Sequence, residues 1–407
     1  MQQNQAMNPT DSARELLADL VSLPTLPGHE QPAIDRMAKW FAEQGLTTRR
    51  VPIPDSIKQD EGYSFGDAPL DYTDRHNLVA ELPGAGGGRS LILCSHVDVV
   101  PAPDWPEAFT PRVEGERLYG RGACDAKGQV VALALAIKLL RDRGVPLRGT
   151  VYGHVVVEEE LGGNGALAMM LAGERAEAAL VLEGTQLHIH PANRGALWFR
   201  LRVEGRSLHM GRRHEGINAI EQVMPLIAAL QAYELRLIDE SRNQPQFERY
   251  ANPVQVNFGT LQAGHWPSMV AGEAVLEGGV GFLPNKPMRA IKQELRAVID
   301  SAADEWTRGH YTLDFPKLHN DAYAGDPQHP FVQTLHRAAT AHGAASAVFG
   351  WNVSCDARLY HHRGGMPTVV FGPGSIAVAH SNAEFIELDE LVRASEIIAA
   401  AAAEWCR

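Results

Sequence analysis

Five short segments of the sequence place a histidine or a carboxylate at the end of an apolar run or beside a glycine-rich turn. Imidazole nitrogens and carboxylate oxygens bind divalent metal ions, and two such ions can activate one water molecule between them. No single segment distinguishes a metal centre from a surface charge pair, but the combination favours a metal-dependent hydrolase. The segments contain His96 and Asp98, Asp125, residues 158–160, Glu183, and His380.

Each predicted ligand suits one position in a centre with two ions. Asp125 follows a glycine-rich turn and precedes a predicted helix, so its two carboxylate oxygens can bridge both ions. His96 and His380 would supply one imidazole to each ion, and Glu160 and Glu183 would each complete one ion. These ligands leave a position open for water, as a catalytic metal site requires. The predicted cofactor is therefore a pair of divalent ions, with zinc favoured and cobalt or manganese as alternatives.

Two further carboxylates stand beside predicted ligands. Asp98 lies two residues after His96 on the same side of an extended strand, where it can accept the other imidazole N–H. Glu159 adjoins a ligand but faces elsewhere, so it is the candidate general base, which would later protonate the leaving amine. The alternative interpretations are a surface pair for His96 and Asp98 and a solvated charge run for residues 158–160.

The overall composition excludes several classes of protein. The chain has 407 residues, 45% hydrophobic and 21% charged, which is typical of a globular protein with two or three domains. Its net charge of −12 argues against a nucleic-acid or anionic-membrane partner. Residues 1–10 lack the apolar core of a secretory signal. The four cysteines are irregularly spaced, which predicts reduced thiols and a cytoplasmic location.

The elements that must position these residues form a predicted α/β domain. Near-continuous apolar runs predict strands over 90–97, 149–157, 178–182 and 367–371, and helical spacing predicts helices from 11 and over 31–44, 128–142 and 165–172. The stretch 52–75 has no clear period and is predicted to be a loop. Such strands alternating with helices are typical of a mostly parallel sheet with helices on both faces, where ligands gather beyond the carboxyl ends of the strands.

The middle of the chain follows a different pattern. It predicts a strand over 196–203, a helix from 218, strands over 254–261 and 273–282, a helix over 288–307 and a strand over 311–315. This β-α-β-β-α-β order is ferredoxin-like. The predicted organisation is a catalytic domain of residues 11–192 and 324–407, with a smaller α+β domain of residues 193–323 inserted between its two parts.

Together these motifs resemble the co-catalytic zinc amidohydrolase and metallopeptidase family of acetylornithine deacetylase, succinyl-diaminopimelate desuccinylase, aminoacylase and carboxypeptidase G. The resemblance covers nearly the whole chain and is carried by the segments 96–101, 120–128, 158–163, 181–185 and 372–384. One departure is Gly184, where the family often has proline. The resemblance implies the same five ligands and the role of general base for Glu159.

The resemblance also implies that the inserted domain is a lid and a dimerisation domain. His209, in the segment 205–210, matches the family's lid histidine, which typically reaches into the partner subunit's site and stabilises the tetrahedral oxyanion. A homodimer joined through the lid domains is therefore expected. The alternative interpretation of His209 is an ordinary turn histidine.

The segment expected to recognise the substrate departs from the family pattern. Relatives commonly carry an arginine in the strand that matches 277–282, where it helps to bind the substrate carboxylate, but this chain has glycine at positions 278, 279 and 281. Arg358 is the candidate replacement, with a structural salt bridge as its alternative. Asn257 is a second substrate-binding candidate.

The predicted function is removal of an N-acyl group from a small amino-acid-like substrate by a water that bridges two metal ions. A dipeptidase or carboxypeptidase with the same centre is the nearer alternative. A non-catalytic relative that binds a small ligand is the remote one. The expected partners are the N-acylated or short peptide substrate and a second copy of the chain, with no nucleic acid and no membrane.

Overall fold

The structure is a computed structural model that describes residues 8–66 and 70–407. The strands are β1 (Thr47–Pro52), β2 (His76–Leu82), β3 (Leu91–His96), β4 (Arg112–Glu114), β5 (Arg117–Tyr119), β6 (Val151–Val156), β7 (Ala179–Val181), β8 (Ala192–Asn193), β9 (Gly195–Glu204), β10 (Gln255–Ala263), β11 (Glu273–Phe282), β12 (Tyr311–Asp314), β13 (His319–Asn320), β14 (Tyr323–Ala324), β15 (Thr368–Val370) and β16 (Phe385–Glu387). The helices are α1 (Pro9–Val21), α2 (Gln31–Glu43), α3 (Lys127–Asp142), α4 (Asn164–Leu171), α5 (Ala219–Glu240), α6 (Met288–Ala302), α7 (Pro330–Ala341), α8 (Ala357–His362) and α9 (Leu388–Trp405). Short 3₁₀ helices cover Asp55–Gln59, Met210–Glu215 and Thr307–Gly309.

The largest sheet contains the four strands that the apolar runs predict. Its strand order is β1-β2-β6-β3-β7-β15, and β6, β3, β7 and β15 pair in parallel. Every residue of β3 is buried, as expected where both faces of a parallel sheet are covered. β2 runs antiparallel to both β1 and β6, so the sheet is mostly parallel and the predicted class is confirmed.

Helices cover both faces of this sheet. Successive residues of a strand point to opposite faces of the sheet, so two neighbouring residues of β6 show which helix covers each face. A side chain at Gly153 would meet Leu133 and Ile137 of α3. The next residue, His154, reaches the other face, where its Nδ1 lies 3.1 Å from the Tyr360 hydroxyl of α8. Helices α1 and α9 pack beside α3.

Strands β1 and β2 and the end of one helix are among the elements that differ from the sequence prediction. β1 and β2 were not predicted, because β1 is a polar edge strand in which Arg49 pairs with Glu81 and Glu174. Within the predicted loop 52–75, the described residues include a 3₁₀ helix at Asp55–Gln59. The helix predicted to reach residue 307 ends at Ala302, because Ala303 is extended and the Asp304 carboxylate accepts the Thr307 N–H at 2.7 Å to start a separate turn.

The second sheet has the predicted ferredoxin-like topology. Its strand order is β10-β11-β9-β12, with every neighbouring pair antiparallel and β13 pairing with the start of β9. On β9 the odd-numbered positions are buried and the even-numbered positions are partly or fully exposed. Helices α5 and α6 pack against each other, and α5 packs on the sheet. One face of this sheet therefore forms a core with the helices, and the opposite face is open.

Two hydrophobic clusters accompany the two sheets. One extends from Ala13 to Ile189 and resumes at Tyr323, while the other extends from Ala192 to Ala322. The domain boundaries that the sequence indicates, 11–192 with 324–407 and 193–323, stay a prediction. Within residues 8–66 and 70–407, no helix combines the length and apolar character needed to cross a bilayer.

Candidate metal centre

The five predicted ligands lie together beyond the carboxyl ends of the parallel strands. His96, Asp125 and Glu183 form one group, and Asp125, Glu160 and His380 form the other. Within each group, one candidate ligand atom of every residue lies within 4.8 Å of the others. Asp125 belongs to both groups, with Oδ1 3.2 Å from His96 Nε2 and Oδ2 3.2 Å from His380 Nε2. This is the placement that a carboxylate bridging two ions requires, although the role of each ligand stays a prediction.

The donor set fits two divalent ions. His96 Nε2 is buried and has no hydrogen-bond partner, and it faces Asp125 Oδ1 at 3.2 Å and Glu183 Oε1 at 3.9 Å. Burial raises the pKa of Glu160 to about 7 and raises the pKa of Glu183 well above its ordinary value, and the charge of Asp125 raises both further. No lysine or arginine of the described chain forms an ion pair with these carboxylates. Among the described residues these carboxylates are paired only with the imidazoles of His96 and His380, and divalent ions bound by both kinds of donor would supply the positive charge in their place.

Asp98 connects His96 to the loop that follows β6. Its Oδ1 lies 3.3 Å from His96 Nδ1, and its backbone carbonyl lies 3.1 Å from the same nitrogen. The same carboxylate accepts the backbone N–H groups of Glu159 at 3.1 Å and Glu160 at 2.9 Å. The position suits the predicted role of orienting His96. The contact of Asp98 with these two backbone N–H groups was not predicted. It fixes the candidate base Glu159 and the candidate ligand Glu160 next to the end of β3.

Glu159 precedes the candidate ligand Glu160 in the chain, and its backbone N–H donates to the same Asp98 carboxylate as that of Glu160. The Glu159 carboxylate forms no hydrogen bond or ion pair with any residue that the structure describes. Burial raises its pKa well above the ordinary value, against the charge of His96, and the carboxylates of Asp356 and Glu183 raise it further. A carboxylate with a raised pKa and no committed hydrogen bond is suited to accept and release a proton.

A buried ion-pair network fixes the loop that carries the candidate base Glu159 and the candidate ligand Glu160. Glu158 has a left-handed φ of 61°, and its Oε1 lies 2.5 Å from Arg75 Nη1. Its Oε2 accepts the Tyr72 hydroxyl and the Asn164 amide, each at 2.8 Å. Arg75 also pairs with Glu30 at 2.7 Å. A non-glycine residue keeps a left-handed backbone where its surroundings hold it, so this network sets the direction of the following two residues. The only sequence feature that indicated this loop was the run of three acids at 158–160.

Asp125 is held by a glycine turn and by a second buried carboxylate. Gly122 has a φ of 85°, and a Cβ there would lie 2.7 Å from a valine methyl group, so the turn excludes larger residues. Glu384 Oε1 accepts the backbone N–H of Asp125 at 3.1 Å, and its Oε2 binds Arg121 at 2.6 Å. Glu384 belongs to the last sequence motif, but its contact with the backbone of Asp125 was not predicted.

The remaining predicted site residues lie outside both ligand groups. His209 is exposed, and its Nδ1 accepts the Gly211 N–H at 3.2 Å. Arg358 is buried, with Nη2 donating to the Gly162 carbonyl at 2.6 Å and no ion pair to any described residue. Asn257 lies on β10 and lines a cavity on the open face of the second sheet. The roles given to these three residues stay predictions.

Comparison with protein families and curated proteins gives consistent matches. The family model described as peptidase family M20/M25/M40 matches residues 92–404. An N-formyl-4-amino-5-aminomethyl-2-methylpyrimidine deformylase of Bacillus subtilis (strain 168) is 27% identical over 363 residues, covering 82% of this chain and 84% of that protein. An acetylornithine deacetylase of Myxococcus xanthus is 28% identical over 341 residues, covering 82% of this chain and 85% of that protein.

Solved structures share the same fold over almost the full length. A tripeptidase from Staphylococcus aureus subsp. aureus mu50 matches with a TM-score of 0.77 and 18% identity, covering 98% of this chain and 100% of that one. A Bacillus subtilis protein described as a dinuclear metal binding peptidase from the M20 family matches with a TM-score of 0.69 and 18% identity, covering 98% of each. These matches confirm the predicted fold class.

Proposed function

We propose, because this chain belongs to peptidase family M20/M25/M40, that it is a metal-dependent hydrolase that removes an N-acyl group from an amino-acid-like substrate. The observation that carries this proposal is the pair of ligand groups that share Asp125. Next to the candidate ligand Glu160 lies Glu159, whose carboxylate has no partner among the described residues and whose backbone, like that of Glu160, is held by Asp98. The deformylase and the deacetylase among the relatives support a small acyl group.

Hydrolysis of an amide needs an activated water, a proton acceptor and a proton donor for the amine. Two divalent ions, when bound, supply Lewis acidity that polarises the carbonyl and lowers the pKa of water. Glu159 accepts the proton of the attacking water on its carboxylate and donates it to the nitrogen as the C–N bond breaks. Asp98 holds the backbone of Glu159 and the ring of His96 during this transfer. The residues that would hold the ions are His96, Asp125, Glu160, Glu183 and His380.

We propose zinc as the metal, with cobalt and manganese as alternatives, because imidazole and carboxylate donors suit all three. Chelation is expected to abolish amide hydrolysis, and one of these metals is expected to restore it. The substrates to compare are N-formyl, N-acetyl and N-succinyl amino acids and a set of dipeptides, with amine release as the readout. Glu159→Gln, loaded with the same metal, is the control for contaminating hydrolases.

The pattern of turnover separates the candidate functions. Metal-dependent release from N-acyl amino acids alone supports the proposed deacylase. Release from dipeptides or from peptide C-termini instead would identify the dipeptidase or carboxypeptidase alternative. A protein that binds two ions and hydrolyses none of these compounds would contradict both and favour the non-catalytic relative.

We also propose a homodimer joined through the second sheet, with His209 acting in the partner subunit's site. His209 is exposed and belongs to neither ligand group of its own chain. Strand β10 is at the edge of its sheet, and an unpaired edge is a template for pairing with a second chain. Exposed apolar side chains lie on this strand, in the turn that follows it and beside His209, namely Leu261, Trp266, Met210 and Met269. Such a patch is typical of a protein interface.

Mixed dimers test the placement of His209. Glu159→Ala and His209→Ala homodimers are each expected to be nearly inactive. In a hybrid dimer, the site with an intact Glu159 would receive an intact His209 from the other subunit. Random exchange of subunits between equal amounts of the two variants should therefore restore about one quarter of wild-type activity. Half of the resulting dimers are hybrids, and each hybrid has one complete site out of two. Activity that stays at the level of the separate variants, in a mixture shown to contain hybrids, would contradict this arrangement.

A cytoplasmic location is part of the same proposal. All four cysteines are buried and unpaired, as is typical of proteins in a reducing compartment. With a net charge of −12, the proposed partners are a small N-acylated amino acid or short peptide and a second copy of the chain, rather than nucleic acid or a membrane.

A further inference from the structure

The two ligand groups differ in how the chain holds them. The inner group consists of His96, Asp125 and Glu183, and the outer group consists of Asp125, Glu160 and His380. In the inner group, His96 ends β3 and Glu183 follows β7, and these two strands pair directly in parallel. In the outer group, His380 is exposed, has a left-handed φ of 60° and lies among turns between β15 and β16. Sheet pairing therefore positions the ligands of the inner group but not His380.

Arg121 contacts the turn that carries His380. Its side chain is buried, its Nη2 donates to the backbone carbonyl of His380 at 3.4 Å, and its Nη1 donates to that of Ser381 at 3.3 Å. Nη1 also pairs with Glu384 Oε2 at 2.6 Å. One guanidinium thus binds the ligand residue, the next residue and a carboxylate at the end of the same segment. Arginine suits this position because its planar fork carries five donors in fixed directions.

Glu384 extends this connection to the bridging ligand. Its Oε1 accepts the backbone N–H groups of Cys124 at 3.0 Å and of Asp125 at 3.1 Å. Its backbone carbonyl accepts the N–H of Gly120 at 3.1 Å. The guanidinium and the carboxylate therefore join the turn that carries Asp125 to the turn that carries His380. No hydrogen bond or ion pair of the described chain links the same guanidinium to a ligand of the inner group other than through Glu384.

The burial of this pair indicates that its role is geometric. The side chains of Arg121 and Glu384 are 2% and 0% exposed. A buried ion pair contributes little net stability, because the cost of removing two charges from water offsets much of their attraction. The removal of one partner, in contrast, leaves an uncompensated buried charge and is strongly destabilising. A test of the pair must therefore remove both charges together.

We propose that Arg121 is a positioning residue that holds the His380 turn against Asp125, a role that rests on the proposed metal-dependent function. The affinity of the outer group for its ion then depends on Arg121, whereas the affinity of the inner group does not. Two ions that share one carboxylate can thus be separated by a residue that binds neither of them.

Zinc binding by the metal-free protein tests this role. The test variant combines Arg121→Met with Glu384→Gln, which leaves no buried charge unpaired and keeps an amide oxygen that can accept the Asp125 N–H. Zn²⁺ is titrated in competition with a chromophoric chelator of known affinity. The wild type should bind two ions. In the variant, one ion should bind about 10- to 100-fold more weakly, the usual effect of losing a group that orients a ligand. The affinity for the other ion should change by less than about threefold.

A comparison in a second background shows whether Arg121 acts through His380. His380→Ala alone should weaken the same ion. Adding Arg121→Met and Glu384→Gln to His380→Ala should cause no further loss, because the turn then carries no ligand to position. Losses that add independently in the combined variant would overturn the proposed role.

Arg117→Met is the matched control. Arg117 Nε pairs with Glu387 Oε1 at 2.7 Å and joins β5 to β16, the strands that adjoin Arg121 and Glu384 in sequence. This pair is exposed and belongs to neither ligand group, so its loss should change neither zinc affinity. Arg121→Lys keeps the charge beside Glu384 but not the fork of donors. It should weaken the same single ion, by less than the double substitution does.

The outcomes separate this role from the proposed function. Selective weakening of one ion supports the role of Arg121, even if the wild-type enzyme hydrolyses no N-acyl compound. Equal weakening of both ions, or no weakening, overturns it, even if the wild-type enzyme is an active deacylase. Thermal unfolding of the metal-free proteins shows whether the double substitution folds, and Arg121→Lys decides the question by the same criteria if it does not.

Discussion

Replacement of Glu159 by glutamine is expected to lower kcat by about 10²- to 10⁴-fold, the usual contribution of a general acid–base group, and to leave the metal content unchanged. Glutamine has nearly the same shape but cannot accept a proton. Its backbone N–H can still donate to Asp98, as that of Glu159 does at 3.1 Å. Because the Glu159 carboxylate makes no hydrogen bond or ion pair within the described chain, the substitution removes no structural contact.

Three measurements check this expectation. Metal content by mass spectrometry and thermal unfolding should match the wild type, and kcat at saturating substrate should carry the whole loss. In the wild type, kcat should fall as pH decreases through the pKa of Glu159, which burial raises, because the protonated carboxylate cannot accept a proton. In the Glu159→Gln variant, the residual kcat should not show this fall with decreasing pH. A folded, metal-loaded Glu159→Gln protein with wild-type turnover would falsify the proposed mechanism.

Replacement of Asp125 by asparagine is expected to reduce binding of both ions and to bring turnover below detection. Asp125 faces His96 through one oxygen and His380 through the other, so its charge is shared by the two ligand groups. An amide offers one neutral oxygen and cannot bridge. The backbone N–H at this position would still donate to Glu384, so the loop itself should persist. Metal content is expected to fall from about two ions per chain to fewer than one.

His380→Ala provides the graded comparison for this prediction. His380 belongs to only one of the two ligand groups, so its loss should weaken one ion and leave the other bound. Equilibrium dialysis against zinc should therefore distinguish the two variants by stoichiometry, with unfolding curves confirming that both are folded. Retention of two tightly bound ions by Asp125→Asn would show that this carboxylate does not bridge them.

The identity of the candidate ligands could be predicted from the sequence because the relevant signals are local. An apolar run long enough for a buried strand ends at His96, and the glycine turn before Asp125 requires a backbone that only glycine adopts easily. Parallel strands bring their carboxyl ends to one edge of a sheet, so residues far apart in sequence converge without any further information. The same reasoning predicted the α/β class and the ferredoxin-like order of the inserted segment.

Other parts of the site depend on contacts that have no local signature. The left-handed Glu158 is held by Arg75, which is far away in sequence and follows a stretch without periodicity. Strand β1 is polar and forms only because β2 offers it a hydrogen-bonding edge. The sequence shows only that positions 278, 279 and 281 are glycines, and the fold shows that the Arg194 guanidinium occupies the space that a side chain at Gly281 would need.

The sequence by itself thus determined which residue types stand at the strand ends, because apolar runs and glycine turns act over a few neighbouring residues. The tertiary structure decided which buried charges meet. The pairing of Glu384 with Arg121 and of Glu158 with Arg75 depends on distances between distant segments. Electrostatic energy in a buried site varies steeply with those distances, and composition and periodicity contain no information about them.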